Sequence, residues 1–182
     1  MSNINLRKMM APKAEPLFAK DASTMITSVH PIQKRMMDFY EENNRCVITA
    51  PRRCGKSAFI IMQSFLTDSN SLIISPNSSM NMSMKHDMRK FMTDNGMVFE
   101  SNMNGFRING KIINIVSHAN ANSFLVEFNG LILIDEYDMI DMRDLNVINK
   151  DKVCLVGTPT GRSSRLTVDQ IGLFAGLNVN EG

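Results

Sequence analysis

Ala50-Pro51-Arg52-Arg53-Cys54-Gly55-Lys56-Ser57 carries the residue types that hold a triphosphate: a tight small-residue turn, a lysine, and a hydroxyl directly behind it. Further on, Leu131-Ile132-Leu133-Ile134-Asp135-Glu136 is an apolar run that ends in two adjacent acids. The backbone N–H groups of such a loop wrap phosphate oxygens, the helix N-terminus behind it adds positive potential, and the lysine reaches the β- and γ-phosphates. An acid at the end of a buried strand can bind a magnesium ion, and a second can polarise an attacking water. The two stretches thus supply both halves of an ATP-hydrolysis site, with Lys56 and Ser57 on one side and Asp135 and Glu136 on the other. Ala50 replaces the first glycine of the pattern, at a place that mostly has to be small.

A phosphate loop needs a strand before it and a helix after it. Arg45-Cys46-Val47-Ile48-Thr49 reads as a short buried parallel strand, and Ser57 to Leu66 as the helix. Pro31 opens an amphipathic helix through Ile32, Met36, Met37, Phe39 and Tyr40, ending at about Asn43. A second strand, Ser71 to Ser75, stops at Pro76, and residues 79 to about 94 form a long helix ended near Asn95-Gly96. Such a βαβ unit favours a right-handed crossover and a parallel sheet.

Short strands are expected at Val98-Phe99, Phe106 to Ile108 and Lys111 to Val116, with Asn109-Gly110 as a hairpin turn. The small, polar segment Ser117 to Ser123 reads as a loop at the sheet edge. Leu131 to Ile134 and Val153 to Val156 are the third and fourth buried strands, the last opening onto Gly157-Thr158-Pro159-Thr160-Gly161. A parallel sheet does its chemistry at the carboxyl ends of its strands, which puts Thr158 near the γ-phosphate. Gln33, by its pattern alone, is a solvated helix residue.

The 182 residues are 43% hydrophobic, enough for one domain with a real core. No stretch approaches the roughly 18 consecutive apolar residues that cross a bilayer, and the N-terminus lacks the apolar run of a signal peptide, so a soluble intracellular protein without membrane partners is expected. Residues 1–25, with Arg7, Lys8, Lys13, Lys20 and two prolines, read as a flexible arm, and residues 26–182 as the ATPase domain. Cys46, Cys54 and Cys154, and His30, His86 and His118, lack the spacing of a metal site, and no disulfide framework is indicated. A net charge of +2 does not demand a nucleic-acid partner, although Arg52-Arg53 and Arg162 with Arg165 make local basic spots. Met80, Met82, Met84, Met88 and Met92 fall partly at helical spacing and read as a pliable core face.

In this order the segments resemble the ATPase domain of the large terminase subunit, the motor that packages DNA into the proheads of tailed bacteriophages. The resemblance runs from about His30 to Gly161. His30-Pro31-Ile32-Gln33 is similar to the adenine-contacting segment, and Ala50 to Ser57 to the family's variant phosphate loop, with arginine at the third place. Ile73-Ile74-Ser75-Pro76-Asn77 and Phe106 to Ile113 resemble the strand and hairpin between the nucleotide motifs, Leu131 to Glu136 the aspartate-glutamate motif, and Gly157 to Gly161 the coupling motif.

The resemblance implies a P-loop NTPase of the additional-strand type, a three-layer α/β fold with helices on both sides of a mostly parallel sheet. It implies ATP and Mg2+ as cofactors, with Pro51, Arg52, Arg53, Cys54, Gly55, Lys56 and Ser57 around the phosphates and Gln33 on adenine. Ser57 and Asp135 would bind the metal, Glu136 would activate water, and Thr158 would sense the γ-phosphate. Implied partners are double-stranded DNA, the portal of the prohead, a small terminase subunit and further copies of the chain in a pentameric ring, in the host cell cytoplasm.

Two departures stand out. The family usually places an arginine shortly before the acidic strand to act on a neighbouring subunit's ATP, and Ser117 to Gly130 contains none, which leaves Arg143, Arg162, Arg165 or an arginine of another protein as candidates. No nuclease domain follows the coupling motif in this sequence, so nuclease activity would come from a separate domain or protein; Asp138, Asp141 and Asp144 lie on one short predicted helix and read as a capping or solvated face. Two other readings stay open: a helicase-like ATPase on nucleic acid, and a nucleotide-dependent assembly switch with slow intrinsic hydrolysis.

Overall fold

Strands covered on both faces show no polar side, and they read as unbroken apolar runs. The computed structural model, which describes residues 30–147, 149–158 and 173–179, builds its sheet around four of them. In chain order the elements are α1 (Pro31–Glu42), β1 (Arg45–Thr49), α2 (Lys56–Leu66), β2 (Ser71–Ser75), α3 (Ser78–Asp94), β3 (Glu100–Asn102), β4 (Gly105–Ile108), β5 (Lys111–Ser117), α4 (His118–Leu125), β6 (Leu131–Asp135), β7 (Val153–Gly157) and β8 (Ala175–Asn178). Two single 3-10 turns, Tyr137–Met139 and Met142–Asp144, lie between β6 and β7.

Among the described residues the strands form one sheet in the order β3-β4-β5-β2-β6-β7-β1-β8. From β5 to β8 all neighbours are parallel, while β3, β4 and β5 form an antiparallel meander. β7 stands between the strand that leads into the phosphate loop and the strand that ends in the acids. That insertion is the additional strand, and the chain has the expected α/β P-loop NTPase fold with helices flanking a mostly parallel sheet. On one face Leu72, Ile74, Ile132, Ile134 and Leu155 pack with Ala121 and Leu125 of α4 and with Tyr137, Ile140 and Met142. α2 packs on β6 and against α1, and buries Phe59 and Ile60 completely.

Helix ends are held by side chains. Asn77 Oδ1 caps α3 by accepting from Met80 N at 3.0 Å. Lys111 Nζ, from the β4–β5 hairpin, donates to the Phe65 and Thr67 carbonyls at 2.7 and 2.6 Å, at the C-terminus of α2, where a cation also meets the negative end of the helix dipole. Burial lowers the Lys111 pKa. The hairpin turn is Asn109-Gly110, at φ 50° and 78°. Met84, Met88 and Met92 of α3 are buried, whereas Met82 is 72% exposed.

Several expectations need correction. Ser117 to Ser123 is no edge loop: β5 lies inside the sheet between β4 and β2, and Ala121 and Leu125, one turn apart, turn the following residues into α4 by offering it a buried stripe. Val98-Phe99 precedes β3 rather than forming it. Asp138, Asp141 and Asp144 fall on two separate turns, of which Asp141 caps the second through Arg143 N at 3.1 Å. β8 has no apolar run to announce it; backbone pairing to β1 forms it, joined by Thr49 Oγ1 donating to Leu177 O at 3.3 Å. No helix of the described residues is long and apolar enough to cross a membrane. The arm boundary expected near residue 25 lies outside the described residues.

Candidate nucleotide site

The loop between β1 and α2 turns through two left-handed residues, Arg53 at φ 61° and Gly55 at φ 84°. A side chain at Gly55 would be strained, and its Cβ would lie 1.9 Å from Gln33 Nε2. That amide instead donates to Gly55 O at 3.3 Å, so α1 braces the last residue before the helix. Cys54 Sγ donates to Pro51 O at 2.9 Å across the loop, and Ala50 N donates to Gly157 O at 3.0 Å, tying the loop's first residue to the end of β7. Arg52, Arg53 and Ser57 are exposed, Ser57 in the first turn of α2.

Lys56 is buried, and its ammonium donates to Pro51 O at 3.1 Å and Ala50 O at 3.3 Å. The same nitrogen lies 3.8 Å from Glu136 Oε1. Glu136 follows β6 with φ 46° and ψ 52°, a left-handed conformation uncommon for a residue with a side chain. Such strain concentrates at functional positions. The other carboxylate oxygen, Oε2, accepts from Thr158 Oγ1 at 3.0 Å. Lysine, glutamate and threonine, drawn from the starts or ends of three neighbouring strand connections, therefore meet at one point.

Asp135 is buried at the end of β6, and its Oδ1 has no hydrogen-bond partner among the described residues. Burial, and next the neighbouring Glu136 charge, raise its pKa from 3.8 to about 6, against the opposing pull of Lys56. Because the folded pKa lies above the unfolded one, folding takes up a proton between these values, and stability falls as pH rises from about 4 to about 6 and then levels off. Urea midpoints measured across that window should drop with rising pH, and Asp135→Asn should flatten the dependence; an equal slope in the variant would assign it to other groups.

Sequence reading missed Asp138. Its Oδ1 accepts from Thr158 N at 3.3 Å, so the first turn after β6 holds the end of β7 by the backbone while Glu136 holds it by the hydroxyl. Its place two residues after Glu136, one turn's reach from the site, was the available signal. Arg143, a candidate for action in trans, lies on the surface with its Nε donating to Asp141 Oδ1 at 2.9 Å. Arg162, Arg165 and the coupling-motif residues after Thr158 lie outside the described residues.

No protein-family model matches the sequence, and no curated protein does. Solved structures do. The UvsW helicase from bacteriophage T4 superposes with a TM-score of 0.60 at 15% identity, over 91% of this chain and 69% of that one. In a second structure of T4 UvsW the values are 0.62 and 16%, over 90% of this chain but only 39% of the other. The large terminase ATPase domain of Thermus phage P74-26 superposes with a TM-score of 0.51 at 13% identity, over 75% of each chain. Identities this low speak for the fold alone. The chain has a P-loop NTPase fold, and the solved proteins that share it include a phage helicase and the ATPase domain of a phage large terminase.

Proposed function

We propose that this chain is a magnesium-dependent ATPase whose turnover drives double-stranded DNA into a viral prohead. The observation that carries the enzymatic part is the meeting of Lys56, Glu136 and Thr158: a buried ammonium 3.8 Å from a carboxylate that a threonine hydroxyl holds at 3.0 Å. The site also fits its cofactors. The left-handed turns at Arg53 and Gly55 suit a backbone cradle for phosphate at the N-terminus of α2, and the buried, unpartnered Asp135 Oδ1 is an acceptor that a cation's shell would complete.

On this reading Pro51 to Ser57 and the Arg52 guanidinium hold the phosphates, Gln33 contacts adenine beside Gly55, and Ser57 and Asp135 hold magnesium. Bound magnesium supplies neutralisation of the phosphate charge. Glu136 takes the proton of the attacking water, and Thr158 keeps its carboxylate aimed while linking that event to β7. An arginine supplied in trans can be worth roughly 10³–10⁵ in rate, so the isolated monomer turns over slowly.

The packaging assignment, with portal, small subunit and pentameric ring as partners, is supported by the ordered motif set and the terminase ATPase fold. The coverage and score of the T4 UvsW superposition favour a second reading, a helicase-like ATPase on nucleic acid. ATP turnover measured alone, with duplex DNA, and with DNA plus proheads separates them, alongside a strand-displacement assay. Packaging predicts a large rise only when DNA and proheads are both present; full stimulation by DNA alone, with strand displacement, would replace it by the helicase reading. No ATP turnover under any condition would remove both.

A further inference from the structure

Two oxygens buried at the carboxyl edge of the sheet are reached by no hydrogen bond among the described residues. Ser75, the last residue of β2, is fully buried and its hydroxyl has no partner; Asp135 Oδ1, at the end of β6, is buried and equally alone. The strands are adjacent and parallel, with Ile74 and Ile134 as partners. Both isoleucines belong to the apolar cluster beneath α4. The next residue of each strand points to the opposite face, so Ser75 and Asp135 are neighbours on backbones about 4.8 Å apart, on the face turned away from that cluster.

A buried hydroxyl without a partner is costly, and in the run Ser71-Leu72-Ile73-Ile74-Ser75 an alanine would sit at no such cost. Ser71 also has an unpartnered hydroxyl, so that property alone does not single out Ser75. The register does: Ser71 is paired with the apolar Leu131, whereas continuing the pairing of Ile74 with Ile134 by one residue makes Ser75 the neighbour of Asp135, whose Oδ1 is itself unsatisfied among the described residues. Magnesium keeps several waters when it binds to protein. Such a water commits its lone pair to the cation and has two protons to give, for which a carboxylate oxygen and a hydroxyl oxygen on adjacent strands are a matched pair of acceptors.

We propose that Ser75 is a positioning residue for the divalent cation, its hydroxyl and Asp135 Oδ1 together receiving one water of the cation's shell. This rests on the ATPase reading above. It concerns cation use rather than nucleotide grip, and the two separate experimentally. Residues that orient a metal's ligands typically change metal affinity about 10–100-fold when removed.

The test titrates Mg2+ against the binding of a fluorescent, non-hydrolysable ATP analogue to the unaltered chain, Ser75→Ala and Ser75→Thr, with thermal midpoints recorded for each. For Ser75→Ala the Mg2+ half-saturation point should rise about 10-fold, while analogue binding in chelator and the thermal midpoint stay the same or improve. Ser75→Thr, which keeps the hydroxyl and suits a strand, should restore the unaltered Mg2+ response. An unchanged half-saturation in Ser75→Ala overturns the role of Ser75 and leaves the ATPase reading intact; an unaltered chain that fails to bind the analogue at any Mg2+ concentration overturns both. Should Ser75→Ala fail to fold, Ser75→Cys, close in size but a weaker acceptor, carries the same comparison with the same two outcomes.

Discussion

Glu136→Gln is expected to bind nucleotide as the unaltered chain does and to lose turnover by about 10²–10⁴-fold, the usual worth of a positioned general base. The amide keeps the length of the side chain and an oxygen for Thr158 Oγ1, which donates to Glu136 Oε2 at 3.0 Å. Its backbone can keep the same left-handed turn. What disappears is the carboxylate that accepts a proton. Fluorescent-nucleotide binding and ATP turnover measured on the same preparation check this, and turnover within tenfold of the unaltered chain would strip Glu136 of its role. Thr158 belongs to the same unit, so substitutions at both positions should add up to less than their sum.

Lys56→Ala should act earlier and more completely. It is expected to weaken nucleotide binding by about 10²-fold or more, on the scale of losing two charge-assisted hydrogen bonds, and turnover goes with it. The lysine is buried and donates to Ala50 O and Pro51 O, so its loss also leaves two loop carbonyls without that donor and Glu136 without its nearby cation. Lys56→Met keeps an apolar stem of similar length and separates lost packing from lost charge. Equilibrium binding with a labelled ATP analogue decides the matter: affinity retained in both variants would mean that the ammonium does not hold phosphate. Lys56→Arg should not restore binding, since a planar fork does not replace a compact ammonium in a buried slot.

The parts of the fold legible in the sequence were those with one physical cause. Residues 71–75, 131–135 and 153–157 are buried along their whole length and 45–49 at alternate positions, and all four appear as strands almost to the residue. Where two causes compete, reading failed. In residues 117–123 small polar residues suggested a loop, but Ala121 and Leu125 had a buried surface to meet and the segment became α4. β8 is held by a neighbour's backbone, which leaves no trace in its own side chains.

The site divides the same way. Lys56, Glu136 and Thr158 announce themselves by order along the chain and are brought within bonding or ion-pair distance. Ser75 and Asp138 do not, because what distinguishes them lies on another element: for one the register with the strand that ends in Asp135, for the other the Thr158 amide. Such pairings exist only once the register is set.

The grip of Lys111 on α2 has a mechanical side. The helix that starts at the phosphate loop is tethered at its far end to the β4–β5 turn, through the carbonyls of Phe65 and Thr67, and Phe65 also stacks on Phe91 of α3 with ring centres 5.3 Å apart. α2 is thereby held at both ends, by Gln33 and Lys56 at the loop and by Lys111 at the far turn. The β3–β4 turn of the antiparallel meander carries Met103, 86% exposed. The connection that follows β1 and the hairpin at the margin of the sheet are thus joined through one helix anchored at both ends.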